Sequence, residues 1–172
     1  MKVKIGITGG IGSGKSFICK VIEKMGYPVY YSDDASKKIV DSDSEIKVKL
    51  TALLGKEIYL NDQLNRPFLA QQLFSSDEMR LKVNAIIHPK VRAYFNEWAE
   101  LQTSKSVFNE AAILFETGAY KQFDSTILVT APKEMRISRV VERDRIIKED
   151  VELRMDKQWS DEQKKTLTDL VI

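Results

Sequence analysis

The chain has 172 residues, 43% hydrophobic and 30% charged, which excludes disorder as its dominant state and leaves room for one domain carrying a smaller insertion. Its 27 Lys and Arg stand against 25 Asp and Glu, so there is no polybasic footprint for general nucleic-acid binding and no nucleic-acid partner is expected. One cysteine and one histidine exclude an intramolecular disulfide and a Cys/His zinc cluster, so a reduced, cytoplasmic setting is expected; apolar runs no longer than "AAILF" argue against a membrane partner.

The opening "MKVKIGITGG" is too short and too interrupted for a signal peptide; "KVKIGIT" within it predicts a first strand that breaks at a glycine cluster. Ile18, Val21, Ile22 and Met25 recur at helical spacing, with Gly26 placed to end that helix before Pro28. "PVYY" predicts a second strand. Beyond Ser32 the pattern turns helical, with Ile46, Leu50, Leu53 and Leu54 on one stripe and Gly55 as its stop. From residue 66 to about 103 only helix signals appear: "RPFLAQQLF", then Met79, Val83 and Ile86, then, after Pro89, Val91, Tyr94 or Phe95, and Trp98. "SVFNEAAI" and "DSTILVTA" predict buried strands; "KEMRISRVVER", "EDVELRMDKQ" and "DEQKKTL" predict helices, and "DLVI" a last strand. This order predicts an α/β fold with a mostly parallel five-stranded sheet covered on both faces, and a helical insertion between strands two and three.

"GITGGIGSGKSF" carries the chemistry. Gly9, Gly14, Lys15 and Ser16 satisfy G-x-x-x-x-G-K-[ST] between a predicted strand and a predicted helix, which is where a phosphate-binding loop must sit. Glycines let consecutive amides turn inward around phosphate oxygens, and the helix N-terminus adds positive potential. Lys15 then reaches the β and γ phosphates, and the Ser16 hydroxyl is a direct magnesium ligand. Asp33 follows the second strand, at the sheet end where it approaches a γ phosphate, and it reads equally as a helix cap beside Ser32 and Asp34; the two roles are compatible. Glu110 ends the third predicted strand, a place for an acid that orients magnesium through water; Glu116 follows, and either reads alternatively as an ordinary surface carboxylate. Arg136, Arg139 and Arg143 share a face beside Ile137, Val140 and Val141, with Arg145, Lys148 and Arg154 beyond. They read either as a solvated face partnered by Glu134, Glu142 and Asp144 or as cations that meet a transferring phosphoryl group. His88, in "IIHP", reads by itself as a local hydrogen-bonding residue.

Taken together, these segments resemble the dephospho-coenzyme A kinase family over nearly the whole chain. The matching stretches are "GITGGIGSGKS", "YYSDDASKKIV", "LNDQLNRPFLAQQLF", "NAIIHPKV", "AAILFETG" and "RISRVVERD…RMDKQWS…K". The resemblance implies transfer of the ATP γ phosphate to the ribose 3'-hydroxyl of dephospho-CoA, on a three-layer fold like that of nucleoside monophosphate kinases. A core at about 1–35 and 104–172, a CoA-binding insertion at about 36–103 and a lid at about 139–158 are then expected. ATP is expected at Gly10, Ile11, Gly12, Ser13, Gly14, Lys15, Ser16 and Phe17 with Arg139 and Arg143; Asp33 is the acceptor of the hydroxyl proton, with Lys15 and Arg143 on the transferring phosphates. Thr8, Asp33, Arg66, His88 and Glu116 fall on the acceptor side. Tyr31, Ser32 and Asp33 stand where the family often has Asp-Ala-Asp, and Ala112, Ile113 and Leu114 where Pro-Leu-Leu is usual. Family members continue past the position of Ile172 with an asparagine-containing loop and a last helix, expected to add to the adenine site.

A guanine-reading N-K-x-D and a D-x-x-G are both missing, which argues against a GTP switch. A nucleoside monophosphate kinase is the alternative, with a non-catalytic nucleotide-binding adaptor behind it. A monomer or weak homo-oligomer is expected.

Overall fold

The glycine cluster at 9–14 interrupts the opening alternation after one strand, and the chain leaves the sheet as a helix. The computed structural model describes residues 2–172 and forms β1 (Val3–Thr8) followed by α1 (Lys15–Lys24). Two compact units result: one joins the chain up to Tyr31 with Ala99–Ile172, and the other is Ser32–Trp98.

In the first unit, β2 (Val29–Tyr31), β5 (Ser106–Glu110), β6 (Ser125–Leu128) and β7 (Leu170–Val171) join β1 in a parallel sheet of order β2-β5-β1-β6-β7. β1 lies at its centre, and the strands end almost level. Ile7 faces Glu110 on one side and Ile127 on the other, and Tyr31 also faces Glu110. Such a register gathers the segments that follow β1 and β5 at the carboxyl end of the sheet, where α/β proteins bind ligands. Ile7, Cys19 and Val129 form the buried centre, with Ile18, Ile22, Val29 and Phe108 against them. Burial, then the charge of Glu110, pushes the Cys19 thiol up to about 12, so it serves as packing. The expected stripe on α1 is thus only half right. Ile18 and Ile22 face inward, but Val21 and Met25 are exposed, because a helix that starts at Lys15 turns its Cys19 face to the sheet.

Three further helices complete this unit: α6 (Lys133–Asp144), α7 (Lys148–Met155) and α8 (Asp161–Lys165). Ile137, Val140 and Val151 bury between α6 and α7, and the side chain of Ile11, from the glycine-rich loop, packs against that cluster.

The second unit is mostly helical: α2 (Ser32–Ser42), α3 (Ser44–Leu54), α4 (Arg66–Ser75) and most of α5 (Asp77–Leu101). The Asp43 side chain caps α3 and Asn65 caps α4, each accepting the amide of the third helical residue, Ile46 and Phe68. Its core holds Ile39, Val40, Ile46, Leu50, Ile58, Leu64 and Val83. Two features differ from expectation. A small antiparallel hairpin, β3 (Tyr59–Leu60) with β4 (Gln63–Leu64), turns at Asn61 and Asp62, both at positive φ as a tight hairpin requires. In addition, α5 runs unbroken through Pro89, and Phe95 takes the buried position that Tyr94 might equally have filled by spacing.

The edge strand β7 is held by an acid just outside it. Asp169 Oδ2 accepts the Thr126 amide at 2.7 Å and its hydroxyl at 2.8 Å, and Ile172 donates to Leu128 O at 2.9 Å. These hydrogen bonds from Thr126 keep the Asp169 carboxyl below the usual carboxylate range. Asp169→Ala is expected to free β7 alone: amide hydrogen exchange at Ile172 should quicken by about tenfold or more, with that at Val129, bonded to Thr8 O, unchanged.

Candidate active site at the glycine-rich loop

Residues 9–14 must turn from β1 into α1 while leaving amides directed at an anion. Gly14 caps α1 at φ 104°, in the left-handed region, so the first-turn amides of Lys15 and Ser16 point out of the helix end. Within the loop Ser13 donates to Gly10 O at 3.1 Å. At Gly12 (φ 77°) any side chain would collide with the Arg136 backbone, and at Gly10 with the Arg136 guanidinium. Glycine here serves close packing as well as conformation.

Lys15 Nζ lies 3.9 Å from Glu110 Oε1, and both side chains are about nine-tenths buried. The expected phosphate cation, at the start of α1, and the expected metal-orienting acid, at the end of β5, therefore meet. Ser16 is exposed in the first turn of α1. No cluster of three or more His, Cys, Asp or Glu able to hold a metal ion occurs among the described residues. One hydroxyl and one carboxylate suit a magnesium ion that arrives with nucleotide phosphates, because that ion keeps most of its ligands as water and phosphate oxygen.

The three arginines of α6 separate into different tasks. Arg136 is largely buried: its Nε donates to Ile11 O at 3.0 Å, and Nη1 pairs with Asp161 Oδ2 at 3.1 Å. It supports the loop from behind. Arg139 reaches Gly12 O and Ser13 O at 3.4 Å each. Arg143, 63% exposed in its side chain, pairs with Asp144 at 2.7 Å, and Arg154 meets the same carboxylate at 3.1 Å. The Arg143 hydrogen bond is the main reason the Asp144 carboxyl is held below its ordinary range.

The acceptor-side candidates are placed as follows. Thr8 is fully buried at the end of β1, its hydroxyl donating to Ala112 O at 3.4 Å. Glu116 Oε1 accepts the Trp159 amide at 3.0 Å and pairs with Lys164 Nζ at 3.0 Å, a lysine that is 0% exposed. Asp33 is exposed in the first turn of α2, two residues past β2. Arg66 pairs with Asp41 at 2.7 Å, joining α4 to α2. Burial, and then Arg92, push His88 below its ordinary value, so its imidazole is neutral at neutral pH.

Sequence reasoning did not find two features. A groove of about 600 Å³ opens beside the loop, lined by Ser13, Gly14, Phe17, Thr130, Ala131, Pro132, Met135 and Arg139 among others. Its signal was the segment after "STILV", since a strand paired with β1 must deliver the residues that follow it to the loop. The second is the contact of Gln158, a residue of the segment that resembles the family's lid: its Oε1 accepts the Ile11 amide at 2.9 Å.

A parallel sheet with β1 at its centre, a glycine-rich loop opening a helix, and a buried lysine beside a strand-end acid define a phosphate-loop kinase fold. The dephospho-CoA kinase family model matches residues 3–172, and the chain belongs to that family. A dephospho-CoA kinase of Bacteroides fragilis is 43% identical over 165 residues, covering 95% of this chain and 80% of its own. A crystal structure of a Thermus thermophilus protein superposes with TM-score 0.88 at 32% identity, over 99% of this chain and 87% of the other. The structure of a Campylobacter jejuni dephospho-CoA kinase gives 0.72 at 26% identity, over 100% and 88%. The chain is accordingly an ATP-dependent phosphotransferase. Among the described residues no helix is long and apolar enough to cross a membrane.

The contacts of Arg136 give a direct expectation. Arg136→Met keeps the stem but leaves Asp161 unpaired in a largely buried place, which should cost about 3 kcal/mol in urea unfolding. Arg143→Met, at an exposed pair, should lie within about 0.5 kcal/mol of the parent.

Proposed function

We propose that the chain transfers the γ phosphoryl group of ATP to the 3'-hydroxyl of dephospho-CoA, giving CoA and ADP. The observation that carries this reading is the meeting of Lys15 with Glu110 at the loop, within a chain whose family membership extends over residues 3–172.

The backbone amides of residues 10–16 other than those of Ile11 and Ser13, together with the Lys15 ammonium, bind the phosphates, with Lys15 on the β and γ groups. The apolar groove past Phe17 and Pro132 suits the purine of ATP, stacked on an exposed ring and closed by Met135. Magnesium, with Ser16 as a direct ligand and Glu110 holding it through water, would neutralise charge on the β and γ oxygens. Arg139 and Arg143, within a lid at about 139–158, meet the charge that spreads over the transferring group. For this Arg143 exchanges the Asp144 carboxylate for phosphate oxygen, an inexpensive exchange because the pair is exposed. Asp33 orients the attacking hydroxyl and accepts its proton. Thr8, Arg66, His88 and Glu116 are assigned to the acceptor side, and the helical unit Ser32–Trp98 to the pantetheine arm. Binding energy from that arm holds the hydroxyl in line with the γ phosphate, so an acceptor without it loses turnover as well as affinity.

The test offers labelled ATP with dephospho-CoA, AMP, CMP, UMP and dTMP to the parent chain and to Asp33→Asn. Product is expected only from dephospho-CoA, and the variant should turn over on the order of a hundredfold more slowly at nearly unchanged ATP affinity. Comparable phosphorylation of a nucleoside monophosphate would replace this reading with the alternative kinase. A variant that loses thermal stability but keeps turnover per folded molecule would leave Asp33, which lies within α2 and not at the cap position expected from sequence, as a first-turn acid that stabilises the helix start.

A further inference from the structure

Ile11 is the one non-glycine residue in the run Gly9–Gly12, and it is held at three points. Its side chain packs with Ile137, Val140 and Val151; its carbonyl accepts from Arg136; its amide donates to Gln158 Oε1 at 2.9 Å. Two of these holds come from α6 and α7. The third comes from the connection between α7 and α8.

That connection is itself fixed residue by residue. The Gln158 amide donates to Met155 O at 3.0 Å, ending α7. The Trp159 amide donates to Glu116 Oε1, and the Ser160 amide to Gln163 Oε1 at 2.9 Å in a capping box that starts α8. Lys164, fully buried, binds the same Glu116 oxygen, so Glu116 is occupied by the connection from two sides. A polar side chain on a connection whose amides at Gln158, Trp159 and Ser160 are engaged is delivered in a set direction, with little freedom left to lose.

We propose that Gln158 is a positioning residue for ATP binding: it fixes the peptide entering Ile11 so that the loop presents its remaining amides to the phosphates already arranged. The physical reason lies in the glycines on both sides. They permit the inward turn but leave the loop many alternatives, and whatever entropy is not removed by the protein must be removed by the nucleotide. The bond from Arg136 Nε to the Ile11 carbonyl and the Ile11 side chain fix one end of that residue, and Gln158 fixes the other. Because Glu116 and Lys164 secure the connection, they act on the same amide at one remove. The inference rests on the family reading only in taking ATP as the ligand of the loop.

The test is direct titration of Gln158→Met and Gln158→Ala with magnesium ATP and, separately, with dephospho-CoA, by calorimetry on the full chain. Methionine keeps the stem and loses the acceptor; alanine loses both. Both variants should bind ATP about five- to tenfold more weakly, the scale of one neutral hydrogen bond, with Tm lowered by no more than about 4 °C. Affinity for dephospho-CoA should stay within about twofold, since no second ligand depends on this amide. ATP affinity within twofold of the parent in both variants would overturn the inference, as would equal weakening towards both ligands. A parent chain that binds ATP but not dephospho-CoA would count against the proposed acceptor and leave the ATP comparison intact.

Discussion

A loop that must hand its amides to a phosphate cannot spend them on itself, so its shape has to be imposed from outside. Everything around residues 9–14 answers to that constraint. Within the loop one short bond, Ser13 to Gly10, is kept. The remainder of the hold comes from α6, from α7 and from the connection to α8; three of its contacts meet at Ile11, and Arg139 reaches the carbonyls of Gly12 and Ser13. The Arg136–Asp161 pair sits at the root of this arrangement: a guanidinium largely removed from water needs a carboxylate partner, and once paired it can lend Nε to the Ile11 carbonyl. Arginine's fixed fork of donors suits both tasks at once, which a lysine's single ammonium would not.

The sheet supplies the other half of the geometry. With β1 central and β2, β5 and β6 ending nearly level with it, Glu110 is brought beside Lys15 without any loop having to carry it. A pair at 3.9 Å, nine-tenths buried, keeps the ammonium at hand while leaving it able to turn to a stronger anion. Beneath the sheet end, Ile7, Cys19 and Val129 form an apolar centre.

How much of this could be read from the chain alone depends on how local each cause was. The phosphate loop was legible because its motif is contiguous and its glycines are punctuation; the parallel sheet was legible because "KVKIGIT", "SVFNEAAI" and "DSTILVTA" alternate with helical text. The hairpin at 59–64 was missed because two-residue strands carry no period, although Asn61-Asp62 is a turn signal in its own right. On α1 the spacing rule admitted two faces, and only packing on the sheet chose the Cys19 side. The arginines of α6 were found as a group, yet their division into Arg136 behind the loop and Arg143 at the surface depends on Asp161 and Asp144, one distant in sequence and one adjacent. Gln158 was visible as a letter in "RMDKQWS", but its partner lies 147 residues away.

The central claim is that the loop is shaped before any nucleotide arrives, by contacts that meet at Ile11. Amide hydrogen exchange of residues 9–16 in the nucleotide-free chain, resolved by NMR, examines it most directly. Ile11 and Ser13, which donate to Gln158 and Gly10, should exchange at least about a hundredfold more slowly than an unstructured peptide. Adding ATP should change those two amides little while protecting their neighbours. Unprotected exchange at Ile11 in the free chain, with protection appearing only when ATP binds, would show that the nucleotide builds the loop and would contradict the account.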